Sequence, residues 1–165
     1  MAGDRTFYRV QSDQSFTHYD EEVGFAPQGH YYMNYDHWVT MDRIEAHLDW
    51  KARPLEPSPF ISVFDNLGDA KRRATMLKDV RHTGVFVAEI RVSSPELESL
   101  DVGYDNDKTL PVLTTMDETG VCTSAFFSTD DARRRLAVDH RVSQLSEWFT
   151  LSSIPHNMIV SKTFV

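Results

Sequence analysis

The order in which strand-like and helix-like segments follow one another constrains this chain of 165 residues more than any single motif. Residues 6–10 (TFYRV) are aromatic and β-branched and read as a strand. Polar residues follow from 11 to 22, then the turn-like GFAPQG at 24–29. Within residues 36–50, Met41, Ile44 and Leu48 recur at helical spacing, with Asp36 or Thr40 as the cap. Pro54, Pro57 and Pro59 impose an extended connector, because a proline also turns its predecessor away from helix. Residues 60–64 (FISVF) read as a buried strand. Asn66 then opens a helix running to about Lys78, with Leu67, Ala70, Ala74 and Leu77 as its apolar stripe.

Residues 84–92 (GVFVAEIRV) give the clearest strand. Phe86, Ala88, Ile90 and Val92 line one face, and Glu89 and Arg91 the other. Residues 93–120 read as loop, with a turn of helix around 96–100, and 129–138 as a short helix. Residues 147–151 and 157–165 read as closing strands, separated by 152–156 with Pro155. This is not the regular strand–helix alternation of a dinucleotide-binding parallel sheet, and GxGxxG, GxxxxGK[ST] and GxSxG are all missing. The pattern predicts one α+β domain over residues 1–165, with mixed or antiparallel sheets.

Composition narrows the chemistry. Aromatic residues make up 12% of the chain, which argues for a packed core rather than disorder. Twenty-five acidic against seventeen basic residues leave a net charge of −8, which disfavours nucleic acid as a partner. Cys122 is the single cysteine, so neither an intrachain disulfide nor a cysteine-based zinc site is expected. The seven histidines show no metal-binding spacing, so no metal is expected. The first ten residues lack the apolar core of a secretory signal, and no apolar run approaches the ~20 residues of a membrane span. A cytoplasmic enzyme and a delivered effector both fit.

Three segments carry side chains with chemical potential. Arg9 is the cation of the first strand, among Phe7, Tyr8 and Val10, and needs an anionic partner: a structural carboxylate or a ligand phosphate. Ser62 and Phe64 lie two apart and share a face, with Ile61 and Val63 on the other. That face suits a polar ligand with a flat ring, or a core strand whose serine bonds to backbone. Glu147 opens the strand with Trp148, Phe149 and Leu151, either to stabilise a developing positive charge or as a solvated strand end. Arg133–Arg135, the cluster Tyr31, Tyr32, Tyr35 and Trp38, His47 and Cys122 read more simply as surface or packing residues.

Taken in order, these segments resemble the ADP-ribosyltransferase family, in the Arg–Ser–Glu branch of the cholera-type toxins. The matching pieces are FYRV at 7–10, GFAPQG at 24–29, PFISVFDNLGDAKRRA at 59–74, GVFVAEIRV at 84–92 and SEWFTLSSIP at 146–155. The chain also resembles fungal domains that carry HLDW (47–50 here) ahead of FISVF. The resemblance implies a split β-sandwich, two small packed sheets flanked by helices, with NAD+ as substrate. It implies Arg9 on a phosphate or ribose of NAD+, Gly24 and Gly29 in a binding loop, and Ser62 near the nicotinamide ribose. It further implies Phe64 against the nicotinamide ring and Glu147 at the ribose 2′-hydroxyl. The implied reaction cleaves the nicotinamide–ribose bond and transfers ADP-ribose to a protein, a small molecule or water. Two departures stand out. The strand reads Ser62-Val63-Phe64 where many members have Ser-Thr-Ser. Leu145 lies two before Glu147, where arginine-modifying members have Glu or Gln, and Gln144 lies three before. The alternatives are a degenerate fold that binds without turnover and the same fold adapted to a biosynthetic or RNA-processing reaction.

Overall fold

The computed structural model describes residues 3–15, 17–27, 60–102, 108–116, 122–136, 146–151 and 153–165. The helix expected at 36–50, the proline connector, Gly29, His47 and the cluster of Tyr31, Tyr32, Tyr35 and Trp38 lie outside the described residues.

The described chain is mostly strand. It runs β1 (Arg5–Gln11), β2 (His18–Asp20), β3 (Gly24–Ala26), β4 (Phe60–Phe64), α1 (Leu67–Asp79), β5 (Phe86–Val92), β6 (Glu96–Val102) and β7 (Lys108–Met116). It continues with β8 (Cys122–Ser128), α2 (Thr129–Leu136), β9 (Glu147–Leu151), β10 (Ile154–Pro155), a 3-10 turn at His156–Met158 and β11 (Ile159–Phe164). Eight strands form one curled sheet in the order β11-β5-β1-β4-β9-β8-β7-β6, with β10-β3-β2 as a small second sheet. Every described pairing is antiparallel. The two packed sheets are thus an eight-stranded one, larger than expected, and a three-stranded one against it.

Why the long sheet curls is visible at β1 and β4. β1 meets β5 over seven rungs and β4 meets β9 over five, but β1 and β4 share the single rung Tyr8↔Phe64. The two halves are held instead by side chains on the inner face. Phe7 stacks on Phe126 at 5.0 Å and touches Trp148 at 5.2 Å. Ile61, Val63, Phe86, Ile90 and Val92 join this core, and Phe25 and Ile154 bring in the small sheet. Each buried phenylalanine contributes roughly 1.5–3 kcal/mol, against about 0.5–1.5 kcal/mol net for a ladder hydrogen bond.

Helix α1 covers the outer face. Ala70 and Ala74 are fully buried against Val10, Phe64, Val85 and Val87, with Tyr8 and Leu77 at the margin. Leu67, expected on the stripe, is 39% exposed. Asn66 caps the helix as the sequence predicts, its Oδ1 accepting the Asp69 N–H at 3.0 Å. At the other end His82 N–H donates to Leu77 O and Arg81 N–H to Lys78 O, both at 2.9 Å. Those paired bonds need a left-handed residue at position 81, and Arg81 has φ 68°.

The loop expected over 93–120 is corrected by the structure. β6 and β7 pair from Glu96↔Thr114 to Val102↔Lys108, and there is no helical turn at 96–100. ELESLDV is poor in strand-forming residues, and Pro111 interrupts the β7 pattern. Tertiary pairing overrides both signals: β6 is an edge strand, and Pro111 lies beyond the described rungs of β7 with β8, which begin at Leu113. The small sheet was equally hidden, since β2 and β10 are three and two residues long.

Candidate functional site

Three separate segments of sequence converge at the split. Arg9 lies on β1, Ser62 on β4 and Glu147 on β9, and these strands are neighbours. Tyr8, Phe64 and Glu147 occupy one rung and one face, because Tyr8↔Phe64 and Phe64↔Glu147 are directly opposed. Ser62 shares that face, two residues from Phe64. Arg9, next to Tyr8, belongs to the other face and reaches across the gap, its Nη1 donating to Ser62 O at 2.9 Å. Where the β1–β4 ladder stops, a guanidinium bridges the strands.

Arg9 is 8% exposed. Its Nε and Nη2 both donate to Gln11 Oε1, at 3.1 and 2.9 Å, and Gln11 Nε2 donates to Thr17 O at 2.6 Å. Among the described residues it forms no ion pair with a carboxylate. Burial first, and the nearby cation of Arg73 second, push its pKa down to about 10, with the Glu147 carboxylate opposing them. At neutral pH Arg9 therefore remains a cation.

Glu147 is 2% exposed. Its backbone carbonyl accepts from Thr129 Oγ1 at 2.9 Å, which ties the start of α2 to the start of β9. Its neighbours on either side are anchored too. Ser146 Oγ bonds Asp69 on α1, and Trp148 Nε1 donates to Asp65 Oδ2 at 3.1 Å. Of the two readings of Glu147, the solvated strand end does not hold, because α1 closes over it.

The sequence reading missed Arg73. From α1 it lies over the Phe64 ring at 5.4 Å, and its Nη2 stands 3.9 Å from Glu147 Oε1. A helical projection does not single it out: at 100° per residue Arg73 sits about 60° from Ala70, and Lys71 the same angle from Ala74. Phe64 thus contacts a guanidinium through its ring, an arrangement worth ~1 kcal/mol.

Gly24 is not brought to this cluster in any described contact. It sits in β3 with φ +105°, and a Cβ there would meet the backbone of Ile154, Pro155 and His156. Close approach of β3 to β10 accounts for this glycine. A family model described as "Domain of unknown function (DUF7587)" matches residues 2–165. The chain belongs to that family. No curated protein and no solved structure matches it.

Chemically, this DUF7587 domain gathers two guanidinium groups, one carboxylate, a serine and aromatic rings at one break in a sheet. Among the described residues no group of three or more His, Cys, Asp or Glu is placed to hold a metal. No described helix is long and apolar enough to cross a membrane.

Proposed function

We propose that this domain is an NAD+-consuming enzyme of the ADP-ribosyltransferase type, which cleaves the nicotinamide–ribose bond and passes ADP-ribose to an acceptor or to water. The observation that carries the reading is the convergence of Arg9, Ser62 and Glu147 on the adjacent strands β1, β4 and β9, with Arg9 bonded to the Ser62 carbonyl. Residues 53 and 85 positions apart along the chain (from Arg9 to Ser62 and from Ser62 to Glu147) meet only through this topology.

The chemistry asks little more of a site. When the bond from ribose C1′ to the nicotinamide nitrogen breaks, its electron pair leaves with neutral nicotinamide, so no acid has to protonate the leaving group. The ribose becomes oxocarbenium-like, and a fixed carboxylate beside it stabilises the charge. Glu147 serves this role, Arg9 holds a phosphate, and Ser62 and Phe64 position the nicotinamide ribose and ring. The acceptor or water then forms the new bond at C1′ and loses a proton.

The test is nicotinamide release from NAD+, followed by chromatography, for the wild type and Glu147→Ala. We expect release to fall by ~10²–10³-fold in the variant, with a melting profile establishing that it is folded. Full activity in Glu147→Ala overturns the site assignment. The burial of Glu147 beneath Arg73 favours a second reading, a module that binds the dinucleotide without turning it over. Binding of NAD+ with no nicotinamide released would select it.

A further inference from the structure

Arginines in the described structure mostly have partners of their own. Arg72 pairs with Asp69, Arg134 with Asp130 at 2.7 Å and Arg91 with Glu89 at 3.7 Å, while Arg135 bonds Thr109. Arg73 differs. Its side chain is only 18% exposed, its Nε is buried without a hydrogen-bond partner, and its approach to Glu147 at 3.9 Å is an ion pair too long for a hydrogen bond. A mostly buried guanidinium with its Nε unpaired is costly to the fold. The cations of Arg9 and Arg73 are near enough to repel one another, with the Glu147 carboxylate beside both.

We propose that Arg73 is a second anion-binding group of the site, which leaves Glu147 for the diphosphate of the substrate when that substrate binds. This rests on the NAD+ reading for the identity of the substrate, but the anion site itself does not. The planar fork of an arginine matches phosphate oxygens two at a time, and Phe64 supports the guanidinium from one side without using its in-plane donors. In this structure Arg73 stands beside the carboxylate. Once it turns to a diphosphate held also by Arg9, Glu147 is released to the sugar. Arg73 would therefore act on substrate affinity and on access to Glu147 together.

Inorganic pyrophosphate tests this without any turnover, by calorimetric titration at fixed ionic strength. We expect the wild type to bind it and Arg73→Gln to bind it about tenfold to a hundredfold more weakly, as loss of charged hydrogen bonds implies. Arg73→Lys, which keeps the charge and loses the fork, should fall between the two. Glu147→Gln should bind more tightly than the wild type, because a competing anion is gone. Melting profiles establish that each variant is folded, and Arg73→Lys carries the comparison if Arg73→Gln is not. Wild-type affinity in folded Arg73→Gln, or in Arg73→Lys where that variant carries the test, overturns the proposal, as does a wild type that ignores pyrophosphate. If pyrophosphate binds through Arg73 while NAD+ neither binds nor reacts, the anion site stands and the NAD+ reading falls.

Discussion

Replacing Arg9 by methionine separates a structural arginine from one that serves a ligand. Its folded-state pKa is lowered to about 10, so folding disfavours the charged form at every pH below that value. The penalty lifts only as pH rises further, and at neutral pH it is present in full. A fall of that size corresponds to ~3 kcal/mol. Methionine removes the penalty and preserves most of the side-chain volume. Against this, Gln11 Oε1 loses both its bonds from Arg9, and Ser62 O loses its bond from Nη1. Two acceptors deprived of these donors cost about 1–3 kcal/mol each. The opposing terms largely cancel, so the stability of Arg9→Met should lie within ~3 kcal/mol of the wild type. Urea denaturation with an unchanged slope measures this directly. The same variant should lose binding of NAD+ and of pyrophosphate. A loss of stability beyond ~4 kcal/mol would refute the reasoning, since that is what breaking a buried structural ion pair costs.

Two further substitutions test the frame around the site. Gly24→Ala places a Cβ against the Ile154 carbonyl and 2.7 Å from His156 N at a φ of +105°, so it should cost more than ~3 kcal/mol, read as a fall in melting temperature. A tolerated alanine would contradict the close packing of β3 on β10. Arg81→Gly relieves a left-handed arginine at the end of α1 and should raise stability by ~0.5–1 kcal/mol in chemical denaturation. A loss there would mean that the Arg81 side chain makes contacts the helix end depends on.

The elements that bear the candidate residues were legible because their signals are local. FISVF and EWFTL are short, aromatic and bounded by turn residues, and both strands fall where the pattern puts them. Asn66 announces its helix through a cap that needs no partner elsewhere in the chain. What stayed illegible depends on pairing. ELESLDV becomes a strand only because KTLPVLTTM lies beside it, and Ile154–Pro155 only because Gly24 and Phe25 do. Arg73 is illegible for a different reason: within the run Lys71, Arg72 and Arg73, charge suggests a solvated face and helical phase sets Lys71 and Arg73 equally far from the stripe, yet only Arg73 turns inward.

The faces of the site residues were the hardest to read, and the break between β1 and β4 explains why. Alternation along TFYRV and FISVF assigns each side chain to a face, but it cannot tell how many rungs join the two strands. With a full ladder, Arg9 would be shut on the inner face, away from Glu147 on the outer one. With the single rung Tyr8↔Phe64, the strands part just where Arg9 begins, and its guanidinium reaches through to the Ser62 carbonyl. The inner core of Phe7, Phe126 and Trp148 holds the two halves together in place of the absent rungs. Packing thus allows the opening in the ladder, and the opening lets a cation from one face influence a carboxylate on the other.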